Sequence, residues 1–303
     1  MTFVRSVLPV KASGPASLTA SACAATLLAL LLGHAASAHA QSAGNDQPAT
    51  VSPAGAAAKA DADAGAADAP TGLWDRSNLL GDMGGLRTLL GAHGVTFNLQ
   101  ETSELYGNFS GGTKRGAAYD GATQFGLAVD TEKAIGLKGG QFFVDALQIH
   151  GHGITASNLS ALQSVSGVEA EAATRLWELW YQQSFGDRVD VKIGQQSLDQ
   201  EFIVSQYAAT FANATFGWPV LPAADLPAGG PAYPLSSLGV RLRIKPSDAV
   251  TILGGVFDGN PAPGNGDPQR LNGSGTRFNL HDGTLLIGEI QYAIDAPSAG
   301  GGA

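Results

Sequence analysis

The sequence predicts an all-β fold, a transmembrane antiparallel β-barrel, and three observations carry that expectation. The first is the stretch 174–195, TRLWELWYQQSFGDRVDVKIGQ, in which polar and apolar residues alternate on both sides of a short turn. Leu176, Glu178, Trp180, Gln182 and Ser184 share one face of its first arm, and Trp177, Leu179, Tyr181 and Phe185 the other. After the turn 185–188, Val189, Val191 and Ile193 face one way and Asp190, Lys192 and Gly194 the other. Two strands with one greasy, aromatic-tipped face and one charged face need a lipid-like neighbour and a watery one. The second observation is length. The arms run about nine to twelve residues, enough for a tilted strand to cross a bilayer, whereas the strands of a soluble sandwich are nearer five or six. The third is the rhythm of the connections. Tight turns at 136–140, 185–188 and 246–248 alternate with long loops at 107–120, 151–173, 197–236 and 258–283, as in a barrel with short periplasmic turns and long outer loops.

Taken in chain order, Arg5 and Lys11 precede an apolar run at 24–32 and the small residues Ala36, Ala38 and Ala40, so residues 1–40 read as a signal peptide cleaved after Ala40. The run is too short to span a bilayer of ~30 Å at ~1.5 Å per residue. Cleavage removes two cations and no acid, so the formal net charge of −9 becomes −11, and it removes Cys23, the only cysteine. No disulfide then remains to form in an oxidising compartment, and an acidic chain lacks the footprint of a nucleic-acid binder. Residues 41–72 are Ala, Gly, Pro and Asp with almost nothing large and apolar, a composition that cannot offset its ordering entropy and predicts a disordered leader. In the segment 73–94, Leu86, Leu89 and Leu90 recur at helical spacing between Asp82 as a cap and Gly94 as a stop, which predicts a short amphipathic helix. Strands are expected at 95–106, 121–133, 141–150, 174–185, 189–196, 237–245, 249–257 and 284–292, with a disordered tail at 293–303.

Counting by twos sorts most strands into a lipid face and an inner face. In 237–245, Leu238, Val240, Leu242 and Ile244 face lipid, leaving Arg241, Arg243 and Lys245 on the inner stripe. The same count points Glu178, Asp190 and Glu289 inward as acidic partners, together with Trp180, Gln182 and Lys192. Opposed basic and acidic stripes orient polar solutes across a pore, and each such residue can equally be a structural ion pair. Asp145 interrupts the alternation of 141–150, and its register stays open.

The loop 197–236 carries Phe202, Tyr207, Phe211, Phe216, Trp218 and Tyr233 and is rich in proline. A loop this long and aromatic is expected to fold into the lumen and narrow it. Trp180, Trp218 and Tyr233 are then candidate platforms for a sugar ring, and Glu178, Gln182, Arg241 and Arg243 candidate hydroxyl partners; packing of the loop is the other use for such aromatics. Other motifs fail. His150 and His152 lack a third metal ligand nearby, and Asp258-Gly-Asn260 lacks the later positions of a calcium loop. No nucleophile elbow, zincin or P-loop motif occurs, and no metal or cofactor is expected.

Several segments together resemble a known family. LLGDMGGLRTLL at 79–90, ALQIHG at 146–151, VSGVEA at 165–170, RLWELWYQQSF at 175–185, GQQSLDQEF at 194–202, FGWPVLPAADLPAGGPAYPLSSLGVRLR at 216–243 and VFDGNP at 256–261 are similar to the carbohydrate-selective porins of the OprB family, in consistent order over about residues 73–292. The resemblance implies a 16-stranded outer-membrane channel for glucose-like sugars, with loops folded inward and a constriction lined by arginines and acidic or polar groups. Glu178, Trp180, Arg241 and Arg243 are the best matches for pore-lining residues. It also implies outer-membrane lipid, small sugars and the barrel-assembly machinery as partners. Eight strands are counted here against the family's 16, and the chain ends in APSAGGGA without a terminal aromatic. It therefore looks like the N-terminal half of a porin, from a truncated gene or gene model. The alternatives are a general-diffusion porin of the same fold and an eight-stranded structural or adhesion barrel without a pore. An outer-membrane hydrolase is disfavoured for want of a nucleophile motif. Glu101, on the lipid-facing parity of the first strand, is a smaller departure.

Overall fold

The computed structural model describes residues 78–205 and 208–294 and, before them, the backbone of four short strands, Phe3–Val4, Leu8–Val10, Val51–Ser52 and Gly55–Ala56. The rest of the signal peptide expected at 1–40 and of the leader at 41–72, and the tail past residue 294, lie outside the described residues. From residue 78 on, a short helix, α1 (Leu86–Ala92), leads into eight strands: β1 (Val95–Asn108), β2 (Gly116–Asp130), β3 (Gly140–Gly151), β4 (Ala173–Phe185), β5 (Val189–Gln196), β6 (Ser237–Ser247), β7 (Val250–Asp258) and β8 (Thr284–Tyr292). Each pairs antiparallel with its neighbours in sequence, so the order across the sheet is the order along the chain. The sheet is open: β1 forms one end, and at the other the short segments Phe3–Val4 and Leu8–Val10 pair antiparallel with β8. No helix among these residues is long and apolar enough to cross a membrane.

The alternation written in the sequence becomes two chemically distinct faces. The large apolar side chains exposed on the strands, such as Leu99, Phe125, Phe142, Ile193, Val240, Ile252 and Ile290, all share the outer face. The inner face is covered by loops. Leu198, Phe202, Trp218, Leu226 and Ala232 of the loop 197–236 pack onto Leu253 and Phe257 of β7 and Leu285 and Ile287 of β8. A second cluster joins Ala122, Leu147, Ile149 and Trp177 to Val168 of the loop 152–172.

Several local expectations are corrected. The β3–β4 ladder slips at Asp145 and Ala146, which face Glu178 and Leu176, so Trp177 is an extra residue in a β-bulge. An inserted residue reverses side-chain parity beyond it. Trp177 therefore lies inward, 1% exposed and edge-on to Tyr233 at 5.7 Å, instead of on the lipid face, and Leu176 turns outward with Ala146. The register of β3 is settled by both neighbours: Asp145 stands opposite Gly126 and Glu178 on the inner face, and Phe142, Val144 and Ala146 point out. β1 and β2 run further than expected, leaving a connection of only 109–115. β2 also stops at Asp130, short of the expected 133, because its carboxylate accepts from the amides of Glu132 (2.9 Å) and Lys133 (3.2 Å) and caps the one-turn helix α2 (Thr131–Ile135). The N-cap of α1 is Gly85, and Asp82 instead reaches over it to the Thr88 amide at 2.9 Å. Gly94 ends that turn as expected, at φ 75° and so close to the Asp130 carbonyl that a Cβ would sit 2.6 Å from it.

Candidate pore constriction

Register alone assembles the site. Gln182, Lys192 and Arg241 form one cross-strand row on β4, β5 and β6, and Ser184, Asp190 and Arg243 form the next. Directly opposed residues share a face, so all six project from the inner wall on strands ~4.8 Å apart. At that spacing one carboxylate can serve two guanidinium groups. Asp190 accepts from Arg243 directly opposite and from Arg241 on the diagonal. Arg241 also donates to the Gln182 side-chain carbonyl at 3.0 Å.

The loop supplies the other half. Directly after β5 the chain turns through a single 3-10 turn, Leu198–Gln200, and presents Glu201 to the same row. Its carboxylate accepts from Arg241 Nη2 at 3.0 Å and lies 2.6 Å from Nε as an ion-pair contact, and it also pairs with Lys192. Burial pushes the Glu201 carboxyl up, but Lys192 and Arg241 outweigh it and hold the group down at about 2. Lys192 lies over the Trp180 ring, its Nζ 4.1 Å from the centroid, and Phe143 packs on the same indole at 5.0 Å. Two carboxylates thus hold three cations, and the cluster keeps one net positive charge.

Two further carboxylates pin the loop by its backbone. Glu178 accepts from the Ser197 amide at 2.9 Å and from the Trp180 indole at 3.3 Å. Glu289 accepts from the Ile203 amide at 2.7 Å. Neither meets the arginines, contrary to the pairing that parity suggested. Glu178 sits toward the far end of β4, beside the exit of β5, while Glu289 is two strands from Arg243 with Leu253 between them. Asp199 receives Ser197 Oγ at 2.6 Å and the Tyr233 amide at 3.3 Å, and burial pushes its carboxyl up.

Of the residues singled out by sequence, the structure brings Gln182, Asp190, Lys192, Arg241 and Arg243 into one network, with Trp180 and Glu178 beside it. Loop and wall together cover Arg241 to 2% exposure, whereas the Arg243 side chain keeps 20%. Lys245 follows Arg243 on the same face, near the turn, where Arg188 donates to its carbonyl at 3.2 Å. Trp218 and Tyr233 are placed apart from the network. The Trp218 indole donates to the Gly229 carbonyl at 2.9 Å, within the loop 197–236, and the Tyr233 hydroxyl to the Val168 carbonyl at 2.9 Å, which ties that loop to 152–172. Tyr207 lies outside the described residues.

Sequence reasoning missed Glu201, Asp145 and Gln195. Asp145 faces inward and accepts from Gln124. Gln195 donates to Ser236 Oγ and to the Gly275 carbonyl, both at 2.7 Å, joining two loops at the β4 bulge. The signal for Glu201 was the segment GQQSLDQEF, which past β5 carries no strand period to say where its side chains point, whereas Gln195 lies near the end of β5 on the parity of Ile193, so counting by twos turns it to the outer face.

Comparison with known proteins accords with this architecture. Residues 114–303 match the carbohydrate-selective porin, OprB family. Porin B of Pseudomonas aeruginosa is 27% identical over 241 residues, which are 72% of this chain and 49% of that protein. The chain spans about half the length of this curated relative. The structure of Pseudomonas putida OprB at high pH superposes with a TM-score of 0.61 at 23% identity, over 73% of this chain and 53% of that one, a likeness of fold.

Proposed function

We propose that this chain, which belongs to the OprB family of carbohydrate-selective porins, supplies the N-terminal wall and the constriction of an outer-membrane channel for passive diffusion of small, glucose-like sugars. The observation that carries this reading is the clamp of Glu201 on Lys192 and Arg241, which fixes the loop 197–236 against a charged inner wall. A loop held in this way narrows a lumen without closing it. The water-facing groups beside it are Arg243 and Lys245, whose donors suit neutral hydroxyls, while the single excess charge is too small to demand an anion. The chain is a channel and not a catalyst, and it uses no cofactor. Export through the signal peptide, insertion by the barrel-assembly machinery and contact with outer-membrane lipid complete the reading.

The test is conductance across a planar bilayer of a complete barrel carrying residues 78–294 as its first half. Glucose should reduce the current in a saturable way, and Arg243→Ala should weaken that block. A current that ignores glucose while passing charged solutes of similar size would make the protein a general-diffusion porin.

A further inference from the structure

Three loops at one end of the sheet, 152–172, 197–236 and 259–283, enclose a cavity of about 220 Å³. At ~30 Å³ per water that is about seven waters, room for one monosaccharide. The cavity shares no residue with the Lys192–Arg241 network, and its wall is of a different kind. Trp218 and Tyr233 line it with their polar tips tied to the carbonyls of Gly229 and Val168, so they offer ring carbon. Three further side chains commit one polar atom to the backbone and keep the other. Gln163 donates to the Trp218 carbonyl at 3.2 Å and keeps its own carbonyl. Gln269 accepts from the Glu171 amide at 2.6 Å and keeps its amide nitrogen. Glu169 accepts from the Thr155 amide at 3.0 Å with one oxygen and keeps the second.

Ring carbon beside amides with a free atom is the surface a sugar needs, and the charge says which sugar. Among the described residues the lining holds the carboxylates of Glu169 and Asp199 and no Lys, Arg or His. Close by, Glu104 on β1 and Asp120 on β2 stand directly opposite each other, both within electrostatic reach of Tyr233, and Asp120 also of Glu169. Asp120 is 2% exposed, and neither of its carboxylate oxygens has a hydrogen-bond partner. The basic groups nearby, His152 beside Asp120 and Arg175 beside Tyr233, do not line the cavity. Arg175 is turned instead to the backbone carbonyls of Glu171 and Gln269, at 3.3 and 3.5 Å. Carboxylates gathered round an aromatic cavity leave it short of positive charge. We infer that this cavity binds a hexosamine, a sugar ring carrying a protonated amine, with the ring against Trp218, the ammonium on the free oxygen of Glu169 and hydroxyls on Gln163 and Gln269. The inference rests on the channel reading for the access of solutes to these loops, and it adds a charged class of sugar to the neutral one.

The experiment measures block of the ion current in complete barrels carrying residues 78–294 as the first half, at about pH 6, where a sugar amine is protonated. Glucosamine should half-block the current at about one-fifth of the glucose concentration, the gain expected of one partly exposed ion pair. Glu169→Gln keeps the acceptor for the Thr155 amide and removes the charge, so it should bring glucosamine to the glucose level and leave glucose itself unchanged. Glu171→Gln, which removes a carboxylate paired with Arg270 outside the cavity, should leave the preference in place. Equal block by the two sugars in the parent would overturn the inference. So would a preference that survives Glu169→Gln, which would assign it to the field of the channel as a whole, or an equal block by ethanolamine, which carries the ammonium without the ring. Loss of the glucose block, with the effect of Glu169→Gln on glucosamine intact, would instead refute the neutral-sugar reading, so the two can fail separately.

Discussion

Replacing Glu201 by glutamine tests the constriction most directly, because it removes one charge and keeps the shape. Arg241 would retain Asp190 and Gln182, and Lys192 would retain the face of Trp180. The cost should therefore fall below the ~3–5 kcal/mol of stranding a buried charge altogether. Electrically the cluster would go from one net positive charge to two. A unit charge about 7 Å from a permeating ion contributes about 0.6 kcal/mol in water, from 332/(εr), or roughly a factor of 2.7 in occupancy. The effect has opposite sign for anions and cations, so their permeability ratio should move about sevenfold toward anions at low salt, and less above ~0.1 M, where the screening length is ~10 Å. The assay is the reversal potential of Glu201→Gln under a salt gradient, in a complete barrel carrying this half. A reversal potential equal to that of the parent, in a barrel shown to be folded, would mean that the cluster does not face the permeation path.

Other outcomes are expected from the same arrangement. Deleting Phe211–Pro227 from the loop should raise single-channel conductance, and an unchanged conductance would place the loop outside the lumen. Gly275 has φ +70° and approaches the Leu176 carbonyl so closely that a Cβ would sit 1.8 Å from it; Gly275→Ala should therefore cost on the order of 1–3 kcal/mol and lower the melting temperature. The Glu201 carboxyl, held at about 2 against an ordinary 4.5, favours the folded loop fully above pH 4.5 and loses that contribution as pH falls through 2. Selectivity of the folded channel follows the protonation of Glu201 itself, so the part that Glu201 sets should hold down to about pH 3 and shift only as pH approaches 2, read as reversal potential against pH.

The strands were legible because a sheet with an apolar outer face and loops packed on its inner face leaves a period of two in the sequence. Arg241, Arg243, Asp190 and Lys192 were placed inward by counting alone. The count fails where one residue is inserted: Trp177 and Leu176 look like ordinary members of an alternating run, and only the partner strand shows the bulge between them. It also fixes a face without fixing a neighbour. Glu178, Asp190 and Glu289 all point inward, yet only Asp190 stands directly opposite an arginine. Glu201 was illegible for a different reason. A loop residue has no period, and its approach to Arg241 depends on the single turn that follows β5.

The eight strands create a conflict that the family's architecture would resolve. In isolation β1, with 14 residues, and β8, with nine, would each present a row of unpaired backbone donors and acceptors, and every such group costs several kcal/mol in lipid. Closing the sheet on itself would pair the edges, but an eight-stranded barrel has an interior just wide enough for side chains. The loop 197–236 could not stay there, so Leu198, Phe202, Trp218 and Leu226 would leave their contacts with β7 and β8. Glu201 would be drawn away from Lys192 and Arg241 with them. Both routes sacrifice what holds the structure together, so residues 41–303 alone should not form a stable, sugar-conducting pore, whereas joining them to the second half of a homologous barrel should. Heat-modifiable migration together with glucose-sensitive conductance from residues 41–303 alone would refute this, and would show that the sheet closes on itself or pairs with a second copy edge to edge.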